Sequence, residues 1–164
     1  MNKVLIPIDG SKFSLQILGY VRRFLPPSAT DLTLLYVTEE PRMVAIEQPG
    51  SEDLTIYVDE AEASIRANFV DGMLPHVRAL EKAGFTVSTQ VRFGNPIPEI
   101  ENWIKEEEID LVAMTTHGRT GLSRMMYGSV AQHILQHATV PVLLYRTFST
   151  DSSKDGFSAK YEFA

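Results

Sequence analysis

The sequence contains no cysteine, which excludes a disulfide framework, a thiolate metal site and a cysteine nucleophile. It also lacks any apolar run close to the ~20 residues that a membrane-spanning helix needs. The amino-terminal stretch reaches Pro7 and Asp9 almost at once, which is typical of a strand and not of a secretory signal peptide. From these absences we expect a cytoplasmic protein with no membrane contact.

Carboxylates are missing from residues 111–150, a segment that holds Arg119, Arg124, Arg146 and three of the four histidines. By contrast, residues 39–62 carry eight carboxylates against Arg42 alone, a local charge of −7 within a total of −6. An anion would be repelled by the acidic segment and tolerated by the acid-free one. With a pI of about 5.2 and no basic stripe, the chain does not suit a nucleic acid, so a small anionic ligand fits better.

The sequence has the size and composition of one compact globular domain, with 164 residues, 44% of them hydrophobic and 22% charged. After Arg146 the chain is mostly Ser, Asp, Lys and Gly, which predicts a flexible tail over residues 147–164. The rest of the chain is long enough to bury a core.

Short apolar runs alternate with helical periods along the chain. Strands are predicted at residues 4–8, 32–37, 85–93, 109–114 and 140–145, and helices at residues 15–25, 58–83, 98–104 and 130–138. Ser11 is placed to cap the first helix, and Pro75 should bend the long second helix or split it in two. Residues 38–56 form an acidic loop with room for a short helix, and the alternation in residues 85–93 predicts a half-exposed strand at a sheet edge.

This alternation of strands and helices predicts an α/β fold of three layers, an open five-stranded parallel sheet with helices on both faces. In such sheets a ligand crevice forms at the carboxyl ends of the strands, where the winding direction reverses. If the fourth strand lies beside the first, Asp9 and Thr115 face each other across that crevice.

The segment from Met114 to Val130 follows a strand and ends on a helix start, and it contains the candidate binding chemistry. Its glycines would let backbone N–H groups converge on a phosphate, its hydroxyls add neutral donors, and the helix beginning near Ser129 contributes its positive end. The alternative is a plain strand-to-helix loop in which the glycines satisfy turn geometry and Ser129 is an ordinary cap. Residue types alone leave both interpretations open.

Three signatures of other binders and enzymes are absent. There is no G-x-x-x-x-G-K-S/T loop, no G-x-G-x-x-G after the first strand, and no G-x-S-x-G elbow. These absences argue against a P-loop NTPase, a standard dinucleotide fold and an α/β-hydrolase.

Four motifs follow one another along the chain in a specific order. They are Val-Leu-Ile-Pro-Ile-Asp-Gly-Ser at the start, Leu-Leu-Tyr-Val at the second strand, Gly94-x-Pro96, and Thr-His-Gly-Arg-Thr-Gly followed by Gly-Ser-Val. With this set the chain resembles the universal stress protein family. The resemblance implies one domain over residues 1–146, with strand order 3-2-1-4-5 as in the adenine nucleotide alpha-hydrolase-like fold. The nucleotide-binding branch has a G-x2-G-x9-G-S/T loop, which Gly118, Gly128 and Ser129 match, whereas Thr115 stands at the first glycine.

The resemblance implies ATP or a related adenine nucleotide, with or without magnesium, bound across the ends of strands one and four. Asp9 would accept hydrogen bonds from the ribose or approach the adenine edge, although its plain role is a turn residue before Gly10. The base would be lined by Pro7, Val37 and Met114. Gly118, Gly128 and Ser129 would hold phosphate oxygens, with Val130 opening the helix behind them, and Arg119, next to Gly118, would touch a phosphate or be solvated. Thr115 and His117 complete the predicted nucleotide-binding residues, and His117 is a hydrogen-bonding residue or, as the alternative, a base.

A homodimer is the second implication of the resemblance. The fifth strand, Val140-Pro141-Val142-Leu143-Leu144-Tyr145, is apolar and lies at a sheet edge in this order. An exposed apolar edge invites pairing, so an antiparallel contact between two such strands is expected. Pro141 would stand at the start, where no ladder donor is lost.

The leading hypothesis is an ATP-binding protein of stress response or signalling that acts through nucleotide-dependent conformation or association, with at most slow ATP hydrolysis. The alternative is a dimeric interaction module of the same family that binds no nucleotide. His133 and His137 share a helix face, but no third metal ligand is evident, so no metal site is expected.

Overall fold

A computed structural model describes residues 2–41, 54–116 and 128–146, and these form one five-stranded parallel sheet in the order β3-β2-β1-β4-β5. The strands are β1 (Asn2–Ile8), β2 (Thr30–Thr38), β3 (Thr86–Phe93), β4 (Leu111–Thr115) and β5 (Val142–Tyr145). The helices are α1 (Ile17–Phe24), α2 (Leu54–Lys82), α3 (Pro96–Glu106) and α4 (Ser129–His137), with 3₁₀ turns at Ser14–Gln16 and Pro27–Ala29. The predicted fold class and strand order are confirmed.

The two faces of the sheet have separate apolar cores. One core lies under α1 and α2 and includes Val4, Ile6 and Leu34. The other lies under α3 and α4 and includes Leu5 and Leu35. Successive side chains of a strand point to opposite faces, so the central strands are buried on both sides.

The first helix starts later than predicted. Ser11 accepts a hydrogen bond on Oγ from the Ser14 N–H at 3.2 Å, but the residues it caps form a 3₁₀ turn, and the α-helix begins only at Ile17. From there Leu18 and Val21 of the predicted apolar stripe are buried together with Ile17, whereas Phe24 of the same stripe is 62% exposed.

The long helix continues through Pro75 as one element, so of the two outcomes predicted there, a bend or a split, the split is excluded. Phe69 and Met73 before the proline and Leu80 after it are all buried against the sheet, and this packing holds both halves in one helix. The helix also begins at Leu54, four residues before its predicted start, whereas most of the preceding acidic loop falls in residues 42–53, outside the described residues.

The third helix begins at Pro96, two residues before its predicted start at Pro98. The Asn95 side chain accepts a hydrogen bond from the Ile97 N–H at 3.1 Å, which makes Asn95 the N-cap and Pro96 the first helical residue. Within the parts of the chain that the structure describes, no helix is long and apolar enough to cross a membrane.

Candidate functional site

A cleft opens at the carboxyl ends of β1 and β4, where the winding of the sheet reverses. β1 pairs with β2 on one side and with β4 on the other, so the helices that follow β1 and β4 diverge to opposite faces. The cleft is open to solvent, with a cavity volume of about 210 Å³. It is lined by Pro7, Ile8, Asp9, Ser14, Leu35, Val37, Pro96, Ile100, Met114, Thr115, Thr116, Gly128, Ser129, Val130 and Ala131.

One wall of the cleft is apolar. Leu35 and Met114 belong to the core under α3 and α4, and Val37 packs against that core. Pro7 follows buried Leu5 by two residues, which puts it on the same face of the sheet. Pro96 and Ile100 close this wall from α3. A wall of this kind suits a flat, largely apolar ring.

Asp9 stands at the polar side, and its carboxylate is fixed by a local turn. Its Oδ1 accepts a hydrogen bond from the Ser11 N–H at 3.0 Å, and Gly10 supplies the positive φ of 80° that the turn requires. Buried Ser14 closes the turn, since its Oγ donates to the Ser11 carbonyl at 2.9 Å and accepts from the Asp9 N–H at 3.4 Å. Asp9 is therefore a turn residue, and the same turn orients its carboxylate at the cleft.

The amino terminus of α4 forms the opposite polar side. Gly128 is the N-cap, with φ −60° and ψ 148°, and Ser129 is the first helical residue, so Ser129 is not the cap that the plain-loop alternative assumed. The Gly128 N–H donates to the Thr116 carbonyl at 2.8 Å and is not available to a phosphate in this arrangement. The donors at this end are the N–H groups of Ser129 and Val130, because the first turn of a helix offers them no internal acceptor.

The charge distribution of the cleft separates two subsites. Among the described residues that line it, Asp9 is the one ionisable side chain. The α4 terminus carries the positive end of a helix dipole, which favours an anion. An anionic group is thus favoured beside Ser129, whereas Asp9 suits hydroxyl or amino donors.

The cleft brings together eight of the eleven residues predicted for the site: Pro7, Asp9, Val37, Met114, Thr115, Gly128, Ser129 and Val130. His117, Gly118 and Arg119 lie outside the described residues. Their roles toward a ligand stay predictions.

Seven further lining residues were not foreseen: Ile8, Ser14, Leu35, Pro96, Ile100, Thr116 and Ala131. Two of them had a signal in the sequence. Ser14 completes an Asp-Gly-Ser-x-x-Ser run whose second hydroxyl can reach back to the turn, and Pro96 is part of the Gly94-x-Pro96 motif. The participation of α3 depends on which helix covers which strand end, and periodicity does not carry that information.

The two histidines of α4 are engaged in helix packing. His133 Nε2 lies 2.9 Å from Glu101 Oε1 of α3, and the His133 and His137 rings stack with centroids 4.3 Å apart. His137 Nδ1 donates to the His133 carbonyl at 3.0 Å. In the described ranges no group of three or more candidate ligand residues converges on a metal position.

Comparison with known proteins gives a consistent family. The family model described as the Universal stress protein family matches residues 1–146. Universal stress protein YxiE of Bacillus subtilis is 33% identical over 150 residues, covering 88% of this chain and 99% of YxiE. The structure of MJ0577 from Methanocaldococcus jannaschii superposes with a TM-score of 0.74 at 25% identity and covers 91% of this chain and 98% of that one.

Two more distant structures contain bound nucleotides. A universal stress protein family protein of Arabidopsis thaliana with AMP bound has a TM-score of 0.62 at 15% identity, covering 94% of this chain and 97% of that one. A universal stress protein in complex with cAMP has a TM-score of 0.56 at 18% identity, covering 90% and 98%. At these identities the likeness supports the shared fold.

Proposed function

The chain belongs to the universal stress protein family, and we propose that it binds an adenine nucleotide, ATP in the first place, in the cleft between β1 and β4. The observation that supports this most is the pairing, in one cleft, of an apolar wall with the amino terminus of α4. Bound AMP and cAMP in two structural neighbours support the same ligand class. We further propose that the protein acts in the cytoplasm, in stress response or signalling, through nucleotide-dependent conformation or association.

The base would lie against the apolar wall. Pro7 and Val37 would contact one side of the ring and Met114 its end, with Pro96 and Ile100 of α3 closing the wall. Burying the ring would supply most of the favourable free energy, at about 25 cal/mol per Å² of apolar surface removed from water.

The ribose would lie beside Asp9. A carboxylate accepts hydrogen bonds and donates none, so it matches the two ribose hydroxyls. The Asx turn to Ser11 orients the group before the ligand arrives, which lowers the entropy cost of binding. The same charge would oppose a phosphate, which keeps the phosphates away from this end.

The phosphates would lie at the start of α4. The Ser129 and Val130 N–H groups and the Ser129 hydroxyl would donate to phosphate oxygens, together with Gly118 and Arg119 as predicted from the sequence. Thr115 and His117 stay predicted nucleotide-binding residues. Magnesium could accompany a triphosphate here. We propose binding without rapid hydrolysis, because Asp9, the one ionisable group among the described lining residues, would be occupied at the ribose end.

The contrast between the two sheet edges supports a homodimer through β5. On β3, the Arg66 Nη1 of α2 donates to the Val91 carbonyl at 2.8 Å and occupies an edge acceptor. Such a cation blunts an edge against pairing. Short, apolar β5 has half-buried side chains throughout, and we propose that a second copy pairs with it antiparallel.

Isothermal titration of the nucleotide-free protein tests the proposal, with ATP as ligand and GTP as the comparison. We expect saturable heat with ATP and weaker binding of GTP. Absence of heat at millimolar ATP would remove the proposal. That result would favour the second candidate function, an interaction module that binds no nucleotide. The buried Thr115, which stands at the first glycine position of the loop motif, supports this second candidate.

A further inference from the structure

Arg92, near the end of β3, contacts three residues on one stripe of α3. Its Nη1 lies 3.5 Å from Glu99 Oε2, its Nη2 contacts Glu106 Oε2, and its guanidinium carbon lies 4.7 Å from the centre of the Trp103 ring. Residues spaced by four and then three positions share one face of a helix, so a single side chain spans two turns of α3. This combination of two carboxylates and a ring face suits a planar guanidinium and not an ammonium.

The same helix supplies the wall of the cleft that closes over the base. Pro96 and Ile100 line the cleft, and Ile100 stands next to Glu99 and one turn before Trp103. Any rotation of α3 that moves Glu99 or Trp103 therefore moves Ile100 as well.

The first turn of α3 is already fixed by other contacts. Gly94, in the tight turn between β3 and α3, has a φ of 136°. Its N–H donates to the Thr38 carbonyl at 2.8 Å, and this hydrogen bond attaches the turn to the end of β2. The Asn95 side chain then caps the helix. The contacts of Arg92 with Trp103 and Glu106 lie after this first turn, in the part of α3 that also contains Ile100.

We infer that Arg92 is a positioning residue for base recognition. It holds α3 in the rotation that sets Ile100 against the ligand, without contacting the ligand itself. This inference rests on the proposed nucleotide binding. Because α3 closes the apolar wall and α4 forms the phosphate end, loss of Arg92 should weaken recognition of the base and spare the phosphate subsite.

Arg66 provides a matched control on the other face of the sheet. Its guanidinium carbon also lies 4.7 Å from a ring centre, that of Phe93, and its Nη2 lies 3.0 Å from Glu62 Oε2. Phe93 packs against the core under α1 and α2, away from the cleft. Arg66→Met thus removes an ion pair and a ring contact of the same kinds, together with the hydrogen bond to the Val91 carbonyl, without touching the apolar wall.

The experiment compares Arg92→Met, Arg66→Met and wild type in calorimetric titrations with ATP, GTP and inorganic tripolyphosphate. For Arg92→Met we expect ATP affinity to fall by about tenfold, with a smaller preference for ATP over GTP. Tripolyphosphate affinity should stay within about twofold, since the α4 terminus is unchanged. Arg66→Met should bind all three ligands with wild-type affinity. The ATP affinity of Arg92→Lys should stay close to that of Arg92→Met.

Two results would overturn the inference without affecting the proposed nucleotide binding. In the first, Arg92→Met binds ATP as tightly as Arg66→Met does. In the second, Arg92→Met loses affinity for ATP and for tripolyphosphate by the same factor. Should wild type itself give no heat with ATP, the proposed function fails and the inference fails with it. If Arg92→Met does not fold, the double variant Glu99→Gln/Glu106→Gln removes both ion pairs and leaves Arg92 in place. The same selective loss is expected of it.

Discussion

The Gly128 N–H donates a 2.8 Å hydrogen bond to the Thr116 carbonyl, and this bond ties the start of α4 to the end of β4. Thr116 in turn donates its N–H to the Tyr145 carbonyl of β5, also at 2.8 Å. The proposed phosphate end of the cleft is thus two backbone hydrogen bonds from the edge strand at which we propose dimer formation. The proposed nucleotide site and the proposed dimer edge would share this short stretch of backbone.

Gly128→Ala should leave the fold intact and weaken ATP binding about tenfold or more. The backbone angles of Gly128 are accessible to any residue, and an added Cβ would meet only the Thr116 carbonyl among described atoms, at an ordinary 3.5 Å. A ligand phosphate packed closely against this backbone would meet the new methyl group. Titration calorimetry and a thermal melt give both readouts.

Gly72→Ala is the control for that variant. Gly72 lies inside α2 with no atom within 4 Å of an added Cβ, so alanine should stabilise the helix by about 0.5–1 kcal/mol and leave ATP affinity unchanged. Equal ATP affinity in Gly128→Ala and wild type would contradict the placement of the phosphates.

Glu108→Gly should stabilise the protein by about 1 kcal/mol. Glu108 has a φ of 51°, and the Ile109 N–H donates to the Ile104 carbonyl at 3.0 Å, a helix ending that favours glycine. The change also removes a carboxylate from the negative end of α3. Denaturant unfolding measures the effect, and Glu107→Gly, at a φ of −98°, is the control that should gain no stability.

Leu144→Pro should abolish dimer formation and keep the fold. Val112 donates to the Pro141 carbonyl and Thr116 to the Tyr145 carbonyl, so the alternate residue Leu144 directs its N–H away from β4. Proline there removes a donor that only a second chain would use. Sedimentation of wild type as a dimer and of Leu144→Pro as a monomer is expected.

Leu143→Pro is the matched control, since it also loses a half-buried leucine but removes a donor directed at β4. It should melt at a lower temperature than Leu144→Pro. A wild-type monomer, or an unchanged dimer in Leu144→Pro, would contradict association through this edge.

Stability should fall as the pH rises from about 10 to 12, in part because of Tyr145. Burial raises the pKa of Tyr145 to about 12, and a hydrogen bond and the charge interaction with Tyr20 add to this effect. Between these pH values Tyr145 loses its proton in the unfolded chain and keeps it in the folded chain. The contribution of Tyr145 to the free energy of unfolding is therefore complete below pH 10 and lost above pH 12. Tyr145→Phe should show a smaller decline in the free energy of unfolding between these limits, and an identical decline would contradict the assignment.

The sheet was predictable because buried parallel strands and amphipathic helices leave strong local periods. The family resemblance implied the strand order that places Asp9, Pro7 and Met114 in one cleft, since parallel strands end at the same edge. The continuity of α2 through Pro75 could not be predicted from local periods, because it depends on the packing of Phe69, Met73 and Leu80 against the sheet.

Hydrogen bonds explain two further positions. The third helix was predicted to start at Pro98, and the Asn95 cap makes Pro96 the first helical residue instead. The Gly128 N–H donates to the backbone carbonyl of Thr116, twelve residues away, so the helix start it sets depends on a contact that no local pattern reports.

A crystal structure of the protein with ATP tests the central claim most directly. We expect the adenine ring against Pro7, Val37 and Met114, the ribose hydroxyls on Asp9, and phosphate oxygens within hydrogen-bonding distance of the Ser129 and Val130 N–H groups. An empty cleft at saturating ATP, or a nucleotide bound elsewhere on the molecule, would contradict the account.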